Sequence, residues 1–273
     1  MYKNFISSGA FAKLCDTSKE TLRHYKNIGL LTPEYEADNG YLYYDPEQFY
    51  DYYAIAILKK TGTSLAKIKE CMHEQNVPSV LNTLKEQQAA LQQEKKKIEH
   101  MQFIVKNALL NINLGHYYEA NHSEPQIDFF NHEHLLALPH DEFSISEDTK
   151  EDKGRTLISV LHKYKAICDT HDIQTDYQLG AIMPFESQSI THLYTRINKA
   201  YKHPYYYKKP AGRYLYIIHK GNCDLNQAYQ TFFEFIKKHA ICTTGPLYAY
   251  DLAGFMINSV ENNFMTMISI QVV

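Results

Sequence analysis

The sequence predicts an α+β chain in three parts: short helices broken by turns and one hairpin, then a single long helix, then a duplicated βαββ unit. Three observations predict it. Residues 1–75 carry helix start and stop signals at close spacing. Val77, Leu84, Leu91, Ile98, Val105 and Ile112 fall on a strict seven-residue step. Beyond residue 125, β-branched and aromatic runs are arranged twice around an amphipathic helix. At 273 residues and 44% hydrophobic, the chain is long enough for two domains.

In the first part GAFAKLC is a helical turn or two. Ser18 is a good N-cap for the next helix, with Glu20 in its first turn, and Gly29 stops it. Asn39-Gly40 between Tyr-rich flanks signals a hairpin turn. Asp45-Pro46-Glu47-Gln48 supplies an N-cap, a Pro at the first helical position and a Gln at the third, so a helix runs from there to about Lys60. Gly62 ends it, and Ser64 caps LAKIKECM.

From Val77 to Ile112 the chain is polar and free of Gly apart from its heptad seam. The second seam position is mixed: Leu81 and Leu109 are apolar, whereas Gln88, Lys95 and Gln102 are not. One helix over this stretch extends ~54 Å, and its single apolar edge needs a partner, which predicts a homodimer. Gly115 is expected to close the helix, with a linker at HYYEANHSEP.

PQIDFFN and HLLALP then read as strands, and GRTLISVLHKYKAICDTH as a helix with Leu157, Leu161, Tyr164 and Cys168 on one face. YQLGAIMP and THLYTRIN are strands again. The order repeats with GRYLYIIHKG, a helix capped by Asp224 that buries Leu225, Ala228, Phe232, Phe235 and Ile236, and the strands LYAYD and FMTMISIQVV. The two helices end alike, in KAICDTHDI and HAICTTGPL, which points to a duplication whose halves leave a crevice for a ligand. KHPYYYKKPAGRY, the most basic and aromatic run, reads as a solvated loop.

No apolar run approaches the roughly 20 residues of a membrane span, and MYKNFISSGAF lacks the features of a signal peptide, so no membrane role and a cytoplasmic location are expected. The five Cys stand far apart, and His132 and His134 lack a third ligand, so neither metal nor cofactor is expected. With a net charge of -3, nucleic-acid contact requires a local patch. The 23 Tyr and absent Trp suit both interfaces and ligand pockets of mixed polarity.

At TLRHYKNIGLL, NGYLYYD and GTSLAKIKECM, residues 1–75 resemble the winged helix-turn-helix DNA-binding domain of MerR-family transcription regulators. The heptad helix, 76–115, matches that family's dimerisation coiled coil, and a linker follows at 116–124. PAGRYLYIIHKGNCDLNQAYQTFFEFI makes residues 125–273 similar to the GyrI-like effector-binding domain of its multidrug-sensing branch. The resemblance implies a dimer that binds a palindromic promoter with RNA polymerase and remodels its spacer when a hydrophobic or aromatic small molecule binds, controlling drug efflux or resistance. The two recognition helices would enter major grooves ~34 Å apart, and deforming the DNA costs on the order of 1 to 6 kcal/mol.

The resemblance assigns DNA contacts to Arg23, whose guanidinium suits a guanine edge or a phosphate, and to Lys19, His24, Tyr25, Tyr41, Tyr43, Lys59 and Lys60. The hairpin departs from the family, with Tyr35, Glu36 and Leu42 where bases are usual. Over residues 1–75, nine Lys and Arg against ten Asp and Glu leave -1, so weaker and less salt-steep DNA binding is expected. In the last strand Met267 stands where the multidrug sensors place a cation-binding Glu. Period two sends Ile268, Ile270 and Val272 to the core and Met267, Ser269 and Gln271 to the crevice. The expected pocket, of Phe185, Tyr194, Tyr214, Tyr216, Tyr248, Phe255 and Met267, prefers neutral or weakly charged compounds. The alternatives are a small hydrolase of the GyrI-like type, for which Glu142, Glu186, Asp251 and Glu261 are dispersed candidates, and a drug-sequestering DNA-binding protein.

Overall fold

The computed structural model describes residues 5–74, 77–121, 124–143, 150–187, 189–221, 225–252 and 264–273. It divides into two compact units, Met1–Lys96 and Lys97–Val273.

The first unit runs β1 (Ile6–Ser7), α1 (Ser8–Leu14), α2 (Lys19–Asn27), β2 (Tyr35–Glu36), β3 (Leu42–Tyr44), α3 (Gln48–Lys60) and α4 (Leu65–Glu74), then enters α5 (Val77–Asn121). Its strands form an antiparallel sheet in the order β1-β3-β2. Ser18 caps α2, its side chain accepting from the Thr21 amide at 3.1 Å, and Gly29 leaves the helix at φ 65°. The Gln48 side chain accepts from the Asp45 amide and the Asp45 side chain from the Glu47 amide, but these contacts close a turn ahead of α3, which starts at Gln48 rather than at Pro46. Phe11, Leu22, Tyr44, Ile55 and Ile68 are wholly buried, with Phe11 stacked on Tyr44 at 4.5 Å between centroids.

The second unit adds β4 (Gln126–Phe130), β5 (Glu133–Pro139), α6 (Lys150–His171), β6 (Gly180–Met183), β7 (His192–Ile197), β8 (Tyr206–Lys209), β9 (Gly212–Gly221), α7 (Asn226–Lys238), β10 (Thr243–Asp251) and β11 (Phe264–Val272). One antiparallel sheet holds all eight strands, in the order β4-β9-β11-β10-β6-β7-β5-β8. Two βαββ halves, β5-α6-β6-β7 and β9-α7-β10-β11, meet back to back where β10 pairs with β6. Their strands mirror one another about that join, which bears out the duplication and closes the expected crevice into continuous sheet. The flanking strands are exchanged: β4 adds to the second half and β8 to the first.

Several expectations are corrected. The basic run is not a solvated loop, since Tyr206–Lys209 is an edge strand and Lys209 is 1% exposed. Gly115 does not end α5, which continues to Asn121. A Cβ there would stand 2.7 Å from Met265 Sδ, so this glycine is a notch for close packing. On α6, Val160 and Tyr164 are buried whereas Leu161 is exposed and borders a cavity. β11 alternates as expected, but Met267 and Ile268 are equally buried, so both faces of the sheet are covered there. Asp224, Phe255, Glu261 and the side chain of Leu157 lie outside the described residues.

Candidate functional site

In the first unit, α2 turns Leu22 and Tyr25 into the core and leaves Lys19, Arg23 and His24 exposed. A cleft of about 300 Å³ separates this helix from the hairpin, lined by Lys19, Arg23, Asn39, Gly40, Tyr41 and Leu42 among others. The hairpin tip is set by Gly40 at φ 78° and by the Asn39 side chain, which accepts from the Tyr41 amide. Of the other sequence candidates, Tyr43 is half-buried against Tyr35, and Lys60 is exposed at the end of α3. Tyr25 is buried and its hydroxyl accepts from Lys59 Nζ at 3.4 Å, which ties the end of α3 to α2. The acidic hairpin has a local explanation: Glu36 pairs with Lys26 of α2 at 2.6 Å, bracing β2 against the helix at the expense of one cation. Leu42→Arg places a new cation in the cleft. It should steepen the fall of log affinity with log salt by about 0.9 and tighten binding to any duplex; unchanged affinity in a salt-titrated mobility shift would put the hairpin clear of the phosphates.

In the second unit, strand register brings Tyr214 and Tyr216 of β9, Met267 of β11, Tyr248 of β10 and Tyr194 of β7 to one face of the sheet. α5 lies on that face: Tyr118 meets Tyr216 at 5.9 Å between centroids, and the Tyr250 hydroxyl donates to Asn111 Oδ1. All five predicted residues are buried to 2% or less, and what they surround is already filled. Lys209 Nζ lies 5.0 Å from the Tyr214 and Tyr248 ring centroids and 5.8 Å from that of Phe130, and it donates to Glu133 Oε2 at 2.9 Å. The sheet therefore curls until β8 reaches rings on β4 and β9 at its opposite edge, and an ammonium occupies the cage. Phe185 lies apart, on an outer cleft of about 380 Å³ shared with Ile182, His192 and Tyr207, and the Tyr207 and Tyr248 hydroxyls lie 3.0 Å apart.

A second layer supports the cage. Arg196 Nε donates to Asp176 Oδ2 at 2.7 Å, its Nη1 lies 3.4 Å from Glu133 Oε1, and its guanidinium covers the Tyr250 ring at 4.9 Å. α5 reaches the 175–178 segment with three side chains of one face: His100 Nε2 with the Thr175 carbonyl at 2.7 Å, Asn107 with Asp176, and Asn111 with Gln178. Burial pushes the Glu133 carboxyl up, but Lys209 and Arg196 outweigh burial and hold it below the usual carboxylate value. Its contribution to stability is therefore full above about pH 4.3 and is lost as pH falls through the depressed folded value. The gap in melting temperature between wild type and Glu133→Gln should narrow on acidification below pH 4; a gap independent of pH would contradict the pairing.

Lys209, Glu133, Arg196 and Tyr207 are not among the residues that the sequence pattern singles out. The available signal was alternation in Tyr205-Tyr206-Tyr207-Lys208-Lys209, which sends Tyr207 and Lys209 to one side of a strand. His132 and His134 stand 5.2 Å apart between ring centroids, and among the described residues no group of three or more His, Cys, Asp or Glu is placed to hold a metal. No helix among the described residues is long and apolar enough to cross a membrane. Glu142 accepts from the Tyr205 hydroxyl at 2.7 Å, Glu186 borders the outer cleft and Asp251 ends β10, so these acids sit on separate elements.

The profile of the MerR HTH family regulatory protein matches residues 6–75. The Multidrug-efflux transporter 2 regulator of Bacillus subtilis is 23% identical over 269 residues, which is 96% of this chain and 94% of that protein. Transcriptional regulator BrlR of Pseudomonas aeruginosa is 39% identical over 64 residues, 23% of this chain and 24% of its own. Among solved structures, EcmrR in its DNA complex aligns at 18% identity over 98% of this chain and 99% of that one, with a TM-score of 0.44. Residues 6–75 are a MerR-family helix-turn-helix domain, on a chain homologous over 96% of its length to the Bacillus regulator.

Proposed function

We infer that this protein is a ligand-responsive transcription regulator that binds a palindromic promoter as a homodimer and acts there with RNA polymerase. The observation that carries the reading is the MerR-family domain at residues 6–75 on a chain homologous, almost end to end, to a regulator of multidrug efflux. Residues 1–75 bind DNA, the heptad stripe of α5 dimerises, α5 itself runs on to Asn121 where a linker was expected, and 125–273 sense the effector, inside the cytoplasm. Lys19, Arg23 and His24 face the DNA, with Tyr41 at the hairpin. The genes controlled are those of drug efflux or resistance.

The effector is a flat hydrophobic compound, neutral or weakly charged, entering by the outer cleft at Phe185 and Tyr207. The buried cage behind them already holds one ammonium on one carboxylate, so a further cation meets like charge and no unpaired anion. Footprinting the dimer on its own upstream DNA, with and without the neutral dye Nile red, tests this. Expected is protection of a palindrome, with spacer reactivity that changes when dye is added. No protection at any salt would sink the regulator reading, and protection indifferent to every dye would leave a drug-sequestering DNA protein.

A further inference from the structure

We propose that a cavity on the opposite face of the sheet from the cage is a second small-molecule site, built for a planar heteroaromatic amine. The cavity measures about 710 Å³, within the range of ligand pockets, and lies between α6, the 172–179 segment, β7 and His100 of α5. Thr195 lies in its wall. Register places Tyr194 on the cage face, so Thr195 turns to the α6 side, where it is 2% exposed and its hydroxyl has no hydrogen-bond partner among the described residues. A buried hydroxyl left unpaired is unfavourable, and a ligand that pairs with it removes that cost.

Backbone strain marks the same wall. Asp172 and Tyr177 hold φ of 52° and 63°, and the left-handed region is unfavourable for a residue as bulky as Tyr. The conformation sends Asp176 and Gln178 inward to Arg196 while Tyr177 turns out, 62% exposed, with its ring 5.8 Å from that of His100. Two ring faces at the mouth suit a flat aromatic body. Around them stand the carboxylates of Asp169 and Asp172, the ammonium of Lys165 and the imidazoles of His100 and His162, so carboxylates outnumber ammonium groups by one. N–H donors on the ligand answer that excess and can also reach Thr195. Cys168 adds no anion, because burial raises its thiol to about 11.

The site is not the cage, and its wall includes the His100–Thr175 contact that holds α5. Occupancy is therefore felt at the helix that carries the heptad seam.

Proflavine, a planar diaminoacridine, is the probe, titrated by fluorescence anisotropy into the full-length chain. One saturable site per chain is expected. Thr195→Val, close in shape, should weaken it at least fivefold while raising the melting temperature of the ligand-free protein. Leu161→Trp, placed on a half-exposed helix position, should fill the cavity and abolish binding with unchanged helical circular dichroism. Phe185→Ala, in the outer cleft, should leave the dye bound as tightly as before. Binding that survives both cavity substitutions, that is lost in Phe185→Ala, or that never saturates overturns the proposal.

Discussion

Lys209→Ala should convert the interior of the second unit from a site closed to organic cations into one that binds them. Removing the ammonium leaves Glu133 with Arg196 at 3.4 Å as its remaining ion-pair partner among the described residues, and empties the space framed by Tyr214, Tyr248 and Phe130. Breaking a buried pair costs about 3–5 kcal/mol; the retained Arg196 contact favours the lower end. Tetramethylammonium is more weakly hydrated than the lysine ammonium and fits an aromatic cage, so it should refill the site. At a hundredfold excess over its Kd it returns about 2.7 kcal/mol. The measurement is the melting temperature of both proteins with rising tetramethylammonium. Wild type should be indifferent, Lys209→Ala should start lower and climb with concentration, and Lys209→Ala/Glu133→Gln should start lower and stay there. A single mutant that ignores the cation would show that Lys209 fills space without standing in for a ligand.

That residue also shows where the sequence stops being legible. The caps at Ser18 and Ser64, the stop at Gly29 and the Asn39-Gly40 turn are local chemistry, and the first unit follows from them. The duplicated half was readable because strand alternation and matching helix ends are also local. Lys209 is buried for a reason that is not local: β8 must pair with β5 to set it opposite Glu133, and the sheet must then curl until the β4 and β9 rings close over it. A run of Lys and Tyr carries no mark of that. Met267 illustrates the converse. The last strand lacks a carboxylate, as read, but the site does not, because Glu133 supplies one from a different strand. Gly115 is ambiguous in the sequence for a related reason, since a helix stop and a packing notch call for the same residue and only Met265 distinguishes them.

The remaining large effect is at α5. Its seam residues Leu84, Leu91, Ile98, Val105 and Ile112 are between 37% and 56% exposed in the single chain. On the same helix His100 and Asn107 hold the 175–178 segment. They follow Ile98 and Val105 by two residues each, a rotation of about 200° at 3.6 residues per turn. Within the second unit the inward face of α5 is thus committed to that unit's own sheet domain, and Ile98 and Val105 point away from it, where a second copy can cover them. Leu91→Glu/Ile98→Glu removes two exposed apolar side chains per protomer that a second copy would bury, at about 1.5–3 kcal/mol each. Four per dimer amount to roughly 6–12 kcal/mol before any repulsion between the carboxylates, more than a micromolar dimer, about 8 kcal/mol, can reliably spare. Sedimentation should find the variant monomeric at micromolar concentration, with the melting of its second unit little changed, since His100, Asn107 and Asn111 keep their partners. Binding to a palindromic duplex should fall to that of a half-site. A variant that still sediments as a dimer would place the interface on another surface and leave the heptad stripe without a role in assembly.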